Sequence, residues 1–156
     1  MTIREIRKEE TGLLETFLYE AIFQRDPENL LPRDVIFQPE LYVYIDGFGE
    51  EPQDRCLVAE IDGRVVGAVW TRIIDGYGHV YDGVPEFAIS ILPGARGMGV
   101  GTKLMEAMLD WMRRDGCERT TLAVQKDNYA LRMYKKVGFE IIGENDQEYI
   151  MECRLQ

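Results

Sequence analysis

The sequence predicts a mixed α/β fold. Three observations support this prediction: apolar runs of strand length, amphipathic segments with helical spacing, and the order in which they follow one another. That order is strand, helix, a long loop, three strands, and then helix, strand, helix and two strands. Helices that follow individual strands are typical of α/β sheets. The chain has 156 residues and no internal repeat, low-complexity tract or linker. We therefore expect a single domain over residues 1–156.

The N-terminal part of the chain predicts a strand and then a helix. Residues 2–7 alternate apolar and charged side chains, as a half-buried strand does. Leu14, Phe17 and Leu18 then recur at helical spacing, in a helix that starts near Thr11.

A long segment without a clean period follows this helix. Residues 24–50 contain three prolines, so we expect a loop with one short helix near residues 39–45. Two interpretations of its aromatic rings stay open: they belong to a functional loop, or they only cover the core. The rings are those of Phe37, Tyr42, Tyr44 and Phe48.

The middle of the chain predicts a β-hairpin and a buried strand. Asp62-Gly63, a preferred pair for tight turns, lies between two runs rich in β-forming residues. A loop rich in Gly and Asp follows over residues 74–85, and the apolar run that begins at Glu86 predicts a buried strand.

The second half of the chain predicts two helices, each preceded by a strand. The first helix is expected over residues 99–115, where an apolar stripe repeats. The second helix is expected to begin at Asp127 or Asn128 and to end at Gly138. Two strands joined at residues 143–146 are expected to close the chain.

Composition and charge limit the classes of function. The net charge of −10 and the sequence pI of about 4.6 argue against binding to nucleic acid, which needs a basic face. The acidity is compatible with a cationic substrate, although it serves solubility equally well. No apolar run approaches the length of a membrane helix, and the charged N-terminus shows no secretory signal, so we expect no membrane association and a cytoplasmic location.

The cysteines and the single histidine predict neither disulfides nor a metal site. Cys56, Cys117 and Cys153 are an odd number without CxxC spacing, so we expect small buried side chains in a reducing compartment. His79 lies in a loop, where we expect it to be solvated rather than to bind a metal.

A cluster of glycines with one arginine lies between the buried strand and the longer helix. The first amides of a helix have no partner within it, and the positive end of the helix dipole binds anions, phosphates above all. Glycine lets the backbone approach a diphosphate closely, and arginine suits phosphate oxygens. The segment therefore predicts a diphosphate site, the alternative being a tight turn that uses glycine only for geometry. Its residues are Gly94, Arg96, Gly97, Gly99 and Gly101.

Two common phosphate-binding motifs do not fit this cluster. A P-loop needs Gly-Lys-Ser/Thr, whereas this chain has Gly101-Thr102-Lys103. A dinucleotide-binding fingerprint needs a third glycine where this chain has Thr102 or Leu104. That fingerprint also lies in the first βα unit of its fold, whereas this cluster follows several strands.

A third motif fits. Residues 96–101, Arg-Gly-Met-Gly-Val-Gly, resemble the (Gln/Arg)-x-x-Gly-x-(Gly/Ala) signature of the GNAT N-acetyltransferases, and the apolar-x-Pro step of that family precedes them as Ile-Leu-Pro. Residues 128–139 resemble a second family segment, and the residues that match it are Asn128, Ala130, Tyr134, Lys136, Gly138 and Phe139. The resemblance is specific from about residue 86 to residue 139 and only topological elsewhere.

The resemblance implies a mostly antiparallel central sheet of six to seven strands, flanked by about four helices. Two central parallel strands, here within residues 86–92 and 119–125, would splay apart and hold acetyl-CoA, the co-substrate, between them. The pantetheine would pair with the backbone of the first strand, and the pyrophosphate would bind the amides that follow. The implied cofactor-binding residues are Ile89, Ser90, Ile91, Arg96, Gly97, Met98, Gly99, Val100, Gly101, Thr102, Asn128 and Tyr134.

The resemblance also implies direct transfer of an acetyl group to an amine. Tyr134 matches the tyrosine that protonates the leaving thiolate, although its spacing also suits a core aromatic. Glu86, at the start of the central strand, is the candidate general base, and an ordinary charged strand end is the alternative. Asp82 is a weaker candidate base. Ser90 is expected to be a strand hydroxyl bonded to a neighbour rather than a nucleophile.

The acceptor is not predicted beyond an amine. A small-molecule amine is favoured over a protein or peptide amine, and dimerisation is left open. The aromatic residues and the 74–85 loop would flank the acceptor, where Asp75, Asp82 and Glu86 could hold a second positive charge, as on a polyamine. The rival hypotheses are a non-catalytic coenzyme A-binding or sensing domain and a phosphate-binding module of another kind.

Overall fold

One seven-stranded sheet with helices on both faces forms the protein. The computed structural model describes residues 1–156. The strands are β1 (Thr2–Glu5), β2 (Arg55–Ile61), β3 (Arg64–Arg72), β4 (Glu86–Ile91), β5 (Arg119–Gln125), β6 (Glu140–Glu144) and β7 (Glu148–Arg154). The helices are α1 (Leu13–Ala21), α2 (Pro39–Tyr42), α3 (Val100–Arg114) and α4 (Ala130–Val137). The strand order is β1-β2-β3-β4-β5-β7-β6, and only β4 and β5 run parallel. The predicted fold class is confirmed.

Two predicted elements differ in detail from the structure. The long loop holds two short helices, a 3-10 helix at Arg33–Phe37 and then α2, because each proline can only start a helical turn. The turn between β6 and β7 lies at residues 145–147 rather than 143–146. The Asn145 side chain accepts hydrogen bonds from the Gln147 and Glu148 amides there, which places the turn after Glu144.

The hairpin between β2 and β3 turns at the predicted pair. Asp62 and Gly63 both have positive φ angles, 50° and 77°. Consecutive positive angles give the tight turn whose twist matches antiparallel strands. The hairpin prediction is confirmed.

The sheet opens between β4 and β5. β4 pairs with β3 from Glu86 to Ile91, but its only pairing with β5 joins Glu86 to Thr121. Beyond that point the two strands separate, so the sheet contains a wedge-shaped gap whose walls are unpaired backbone.

Each face of the sheet has its own core. One core lies under α3 and α4, and it includes Met105, Met108 and Phe139. The other core lies under α1, where Phe17 and Trp70 are buried. Cys56 and Cys153 are buried, Cys117 is half-buried, and all three thiols are free. None of the helices combines the length and the apolar character that a bilayer span requires.

Candidate active site

The N-terminus of α3 presents a row of free backbone amides. Gly97 and Gly99 both adopt φ angles of 79°, the left-handed conformation that glycine accepts most easily. The N–H groups of residues 97–102 donate to no protein acceptor, and the amide of Arg96 makes only a long contact of 3.4 Å with the Pro93 carbonyl. Together with the positive end of the helix dipole, these amides form an anion-binding site.

The gap-facing edge of β4 offers further polar groups. Leu92 donates its N–H to Val66 on the β3 side, so residues 90 and 92 direct their backbone groups toward β3. By alternation, Ile89 and Ile91 direct theirs into the gap. An extended ligand with amide groups can therefore pair with β4 as an added strand would.

A cavity of about 670 Å³ joins these two features. It runs from the gap to the N-terminus of α3, between the end of α1 and the start of α4. Eleven of the twelve residues predicted to bind the cofactor line it. Met98 does not, because its side chain is 63% exposed and faces a neighbouring cavity.

Three of the lining side chains also make hydrogen bonds within the protein. Arg96 donates through Nε to the Ile91 carbonyl at 2.9 Å, so its guanidinium lies beside the β4 edge. Ser90 donates its hydroxyl to the Phe17 carbonyl at 2.6 Å, which confirms the expectation of a bonded strand hydroxyl. Asn128 accepts a hydrogen bond from the Ala130 amide and so starts α4.

Tyr134 is shared by two cavities. Its ring packs edge-on against Phe139, with 5.8 Å between centroids. It lines both the cofactor cavity and a second cavity described below. Burial raises the pKa of the Tyr134 phenol to about 12. A phenol with this pKa is protonated at neutral pH and so holds a proton that it can deliver to a sulfur atom leaving beside it.

Glu86 is buried, and both of its carboxylate oxygens are occupied. Oε1 accepts hydrogen bonds from the Tyr44 hydroxyl (2.9 Å) and the Gly78 amide (3.0 Å), and Oε2 accepts one from the Gly76 amide (2.6 Å). Burial raises the pKa of Glu86, while these hydrogen bonds oppose the rise. The carboxylate lines neither cavity. The oxygens therefore face protein donors rather than the acceptor cavity, and the role of Glu86 as general base stays a prediction.

The loop over residues 74–85 is held close to the sheet by this carboxylate. A side chain at Gly78 would meet backbone atoms of Leu122 at 2.8 Å, so only glycine allows the approach. Tyr44 completes the arrangement, since its hydroxyl also accepts a hydrogen bond from the Tyr77 amide at 2.9 Å. Glu86 therefore anchors the loop and Tyr44 together.

A second cavity of about 450 Å³ lies on the other side of the gap. Tyr44 and Tyr77 form part of its wall, and it shares Ile89 and Tyr134 with the cofactor cavity. Because the two cavities meet at these residues, a group bound in one can react with a group bound in the other. We call this second cavity the acceptor cavity.

The acids expected around the acceptor lie elsewhere. Asp75 and Asp82 are almost fully exposed and flank His79, at 3.3 and 3.2 Å from its two ring nitrogens. Neither aspartate lines the acceptor cavity. The hypothesis of a cation site built from Asp75, Asp82 and Glu86 is therefore wrong, because two of these carboxylates face solvent and the third is enclosed by donors. His79 is half-buried rather than fully solvated.

The aromatic residues of the long loop divide between two roles. Tyr44 faces the acceptor cavity, whereas Phe37 packs against Tyr42 with ring centroids 5.3 Å apart. Tyr42, Tyr44 and Phe48 also pack against the core under α1. Tyr44 therefore fits both interpretations, whereas Tyr42 and Phe48 fit the interpretation that the rings cover the core.

Sequence reasoning missed the segment that follows α1. Ile22 and Phe23 line both cavities, and Arg25 crosses to the far side of the gap. There it donates to both carboxylate oxygens of Asp127 at 2.6 Å and to Gln125 Oε1 at 2.9 Å. No local pattern marks these residues, because their role depends on where the loop crosses the sheet.

Comparison with known proteins agrees with this geometry. Residues 17–139 match the model of the acetyltransferase (GNAT) family. The chain is 31% identical over 154 residues to the mouse thialysine N-ε-acetyltransferase, covering 92% of this chain and 86% of that protein. It is 34% identical over 116 residues to the mycothiol acetyltransferase of Saccharomonospora viridis, covering 72% of this chain but only 35% of that longer protein.

A solved structure shows the same fold. YncA from Salmonella typhimurium, solved with its cofactor acetyl-CoA, superposes with a TM-score of 0.69 over 100% of this chain and 94% of that one, at 21% identity. The chain belongs to the GNAT acetyltransferase family. The family resemblance stated from the sequence, and with it the acyltransferase class, is confirmed.

Proposed function

We propose that this protein transfers an acetyl group from acetyl-CoA to a small primary amine. The observation that carries the proposal is the gap between β4 and β5, which leads directly to the free amides of residues 97–102. The solved relative that holds acetyl-CoA and the relative named for an amine substrate support donor and acceptor respectively.

The cofactor cavity supplies the binding groups. The amides of residues 97–102 bind the pyrophosphate, and Arg96 adds a positive charge beside them. The backbone groups of Ile89 and Ile91 pair with the pantetheine amides. Thr102 and Asn128 complete the wall. Ser90 contributes its position in β4 rather than its backbone, which is bonded to β3.

Transfer needs three events at the meeting point of the cavities. The amine nitrogen attacks the thioester carbonyl, and a gap-facing N–H of β4 stabilises the oxyanion that forms. The carbon–sulfur bond then breaks, and Tyr134 protonates the leaving thiolate. Before the attack the acceptor ammonium loses one proton to solvent, and after the attack the same nitrogen loses a second proton, which replaces the one that Tyr134 gave to the sulfur. The products are an N-acetyl amide, free coenzyme A and one proton.

Glu86 acts on the acceptor through Tyr44. The Tyr44 hydroxyl gives its proton to this carboxylate and accepts one hydrogen bond from the Tyr77 amide, which leaves its second lone pair for an ammonium in the acceptor cavity. We propose Glu86 as a positioning residue and Tyr44 as the group that contacts the acceptor.

Two measurements test the proposed function. Thermal unfolding with coenzyme A, ATP and NAD tests the cofactor site, since a ligand at 100 times its dissociation constant adds about 2.7 kcal/mol of stability. Release of thiol from acetyl-CoA with a panel of primary amines tests the activity. Stabilisation by coenzyme A alone together with amine-dependent thiol release is expected. Stabilisation without thiol release would leave a coenzyme A-binding domain, and stabilisation by ATP or NAD instead would overturn the proposal.

A further inference from the structure

Only one charged side chain lines the acceptor cavity. Fifteen of its 20 lining residues are hydrophobic, and the others are Gln38, Gln125, Asn128, Gln147 and Glu148. Glu148 is therefore the only group in that wall able to bind an ion of opposite charge.

The Glu148 carboxylate has no partner in the protein. The side chain is half-buried, and it accepts no hydrogen bond and forms no ion pair, although its backbone amide is bonded to Asn145. Two cations of the neighbouring segments are already paired, Arg25 with Asp127 and Lys126 with Glu144. A carboxylate without a partner in the wall of a cavity is free to form an ion pair with a bound cation.

The position of Glu148 in the sheet separates it from the reacting atoms. It lies opposite Gln125 in the pairing of β5 with β7, so both side chains project from the face that forms the acceptor cavity. β7 is two strands away from β4. Paired strands lie about 4.8 Å apart and β4 and β5 are further apart than that at the gap, so β7 is more than roughly 10 Å from the edge where the thioester would lie. Glu148 is too distant to bind the attacking nitrogen and faces the other end of the acceptor.

We propose that Glu148 selects acceptors that carry a second positive charge. The substrate class is a primary amine whose far end is also cationic, the two being joined by a short apolar chain that crosses the hydrophobic wall. This inference rests on the proposed function and names the residue and the charge that decide its specificity.

A matched pair of substrates tests the inference. Pentylamine and 1,5-diaminopentane have the same five-carbon chain and differ in one terminal ammonium. We expect the wild-type protein to acetylate the diamine with a kcat/KM about tenfold or more above that for pentylamine, as the loss of a charged hydrogen bond implies. Glu148→Gln should lower kcat/KM for the diamine to the value for pentylamine, while unchanged thermal stabilisation by coenzyme A shows that the variant is folded.

Two further variants sharpen the test. Asp146→Asn removes the same charge from the same turn outside the cavity and should keep the preference for the diamine. Glu148→Lys should reverse the preference, so that 5-aminopentanoate becomes a better acceptor than the diamine.

The outcomes separate the two proposals. Equal kcat/KM for the two amines in the wild-type protein, or a preference that survives Glu148→Gln, would overturn the role of Glu148 while leaving acetyl transfer intact. If Asp146→Asn lost the preference for the diamine as Glu148→Gln does, the overall negative charge of the protein would explain the preference. That result would also overturn the role of Glu148. Turnover of neither amine, nor of any other primary amine, would overturn the proposed function and this inference with it.

Discussion

Tyr134 serves packing and chemistry with different parts of one side chain. Its ring is held against Phe139, and no protein group competes for its hydroxyl, since burial alone accounts for its raised pKa. A phenylalanine would keep the packing and lose the proton. The residue therefore offers a clean separation between a structural and a catalytic role.

We expect Tyr134→Phe to lower kcat by about a hundredfold or more and to change KM for acetyl-CoA little, because only the proton donor is lost. The phenol is protonated below its pKa of about 12. The wild-type kcat should therefore show no loss of this acid up to about pH 10, where an ordinary phenol is half ionised. Thiol release measured across pH checks both statements.

Tyr149→Phe is the matched control for this variant, because it removes a phenol from β7 on the opposite face of the sheet from the acceptor cavity. A kcat of Tyr134→Phe within a fewfold of wild type would contradict the proton-donor role and leave Tyr134 as a core aromatic.

At Glu86, replacing the carboxylate with an amide should affect stability and acceptor binding more than chemistry. The amide oxygen of Glu86→Gln replaces only one carboxylate oxygen, and the amide nitrogen cannot accept from the donor at the other position, so we expect the free energy of unfolding to fall by about 1–3 kcal/mol. KM for the acceptor should rise because Tyr44 loses its orientation. Urea unfolding and steady-state kinetics measure the two effects, with exposed Glu106→Gln as control. A stable variant whose kcat falls a thousandfold with an unchanged KM would support Glu86 as the general base.

At the scale of elements, the start of α3 depends on backbone conformation rather than on side chains. Gly94 and Gly99 belong to the same segment, and an added Cβ would meet no atom within 4 Å at either position. Only Gly99 has a positive φ angle. Substitutions at these two positions therefore separate the effect of backbone conformation from the effect of steric space.

Gly99→Ala should cost about 1 kcal/mol of stability and weaken coenzyme A binding about tenfold, because the strained residue turns the amides away from the anion. Gly94→Ala should change neither quantity. Thermal unfolding and isothermal titration with coenzyme A would measure both, and equal affinities for the two variants would show that the amides of residues 97–102 do not bind the pyrophosphate.

The cofactor side of the site was predictable from sequence because its features are local. The glycines within residues 96–101 determine the backbone conformation of that segment, and Asn128 and Tyr134 lie close together in the sequence. The acceptor side of the site was not predictable from the sequence. Glu148 becomes a cavity residue only through its pairing with Gln125, and the place where residues 22–25 cross the gap depends on the whole sheet. The burial of Glu86 was not predictable either, since it depends on the distant Tyr44 and on how the preceding loop folds back over the carboxylate.

At the scale of the whole molecule, the core under α3 crosses the gap in the sheet. It joins Val69 and Ile89 from one side to Leu122 and Met151 from the other. The two halves of the sheet therefore share buried surface even though one pairing position links their backbones.

Because of this shared core, we expect one cooperative unfolding transition, as the single-domain prediction requires. The calorimetric enthalpy should equal the van't Hoff enthalpy, and coenzyme A near 100 times its dissociation constant should raise Tm by about 5 °C or more. Differential scanning calorimetry with and without coenzyme A is the measurement. Two resolved transitions, of which coenzyme A shifts one, would show that the halves fold separately.

The opening between β4 and β5 also bears on aggregation. Unpaired strand edges on the outside of a sheet invite other polypeptides to extend it. Here the unpaired groups of Ile89 and Ile91 lie inside a crevice, roofed by the segment after α1 and by α4. A slender, unbranched molecule fits such a crevice, whereas a second polypeptide strand with side chains on both faces does not. The fold thus keeps a reactive edge available to its small ligand and closed to its own copies.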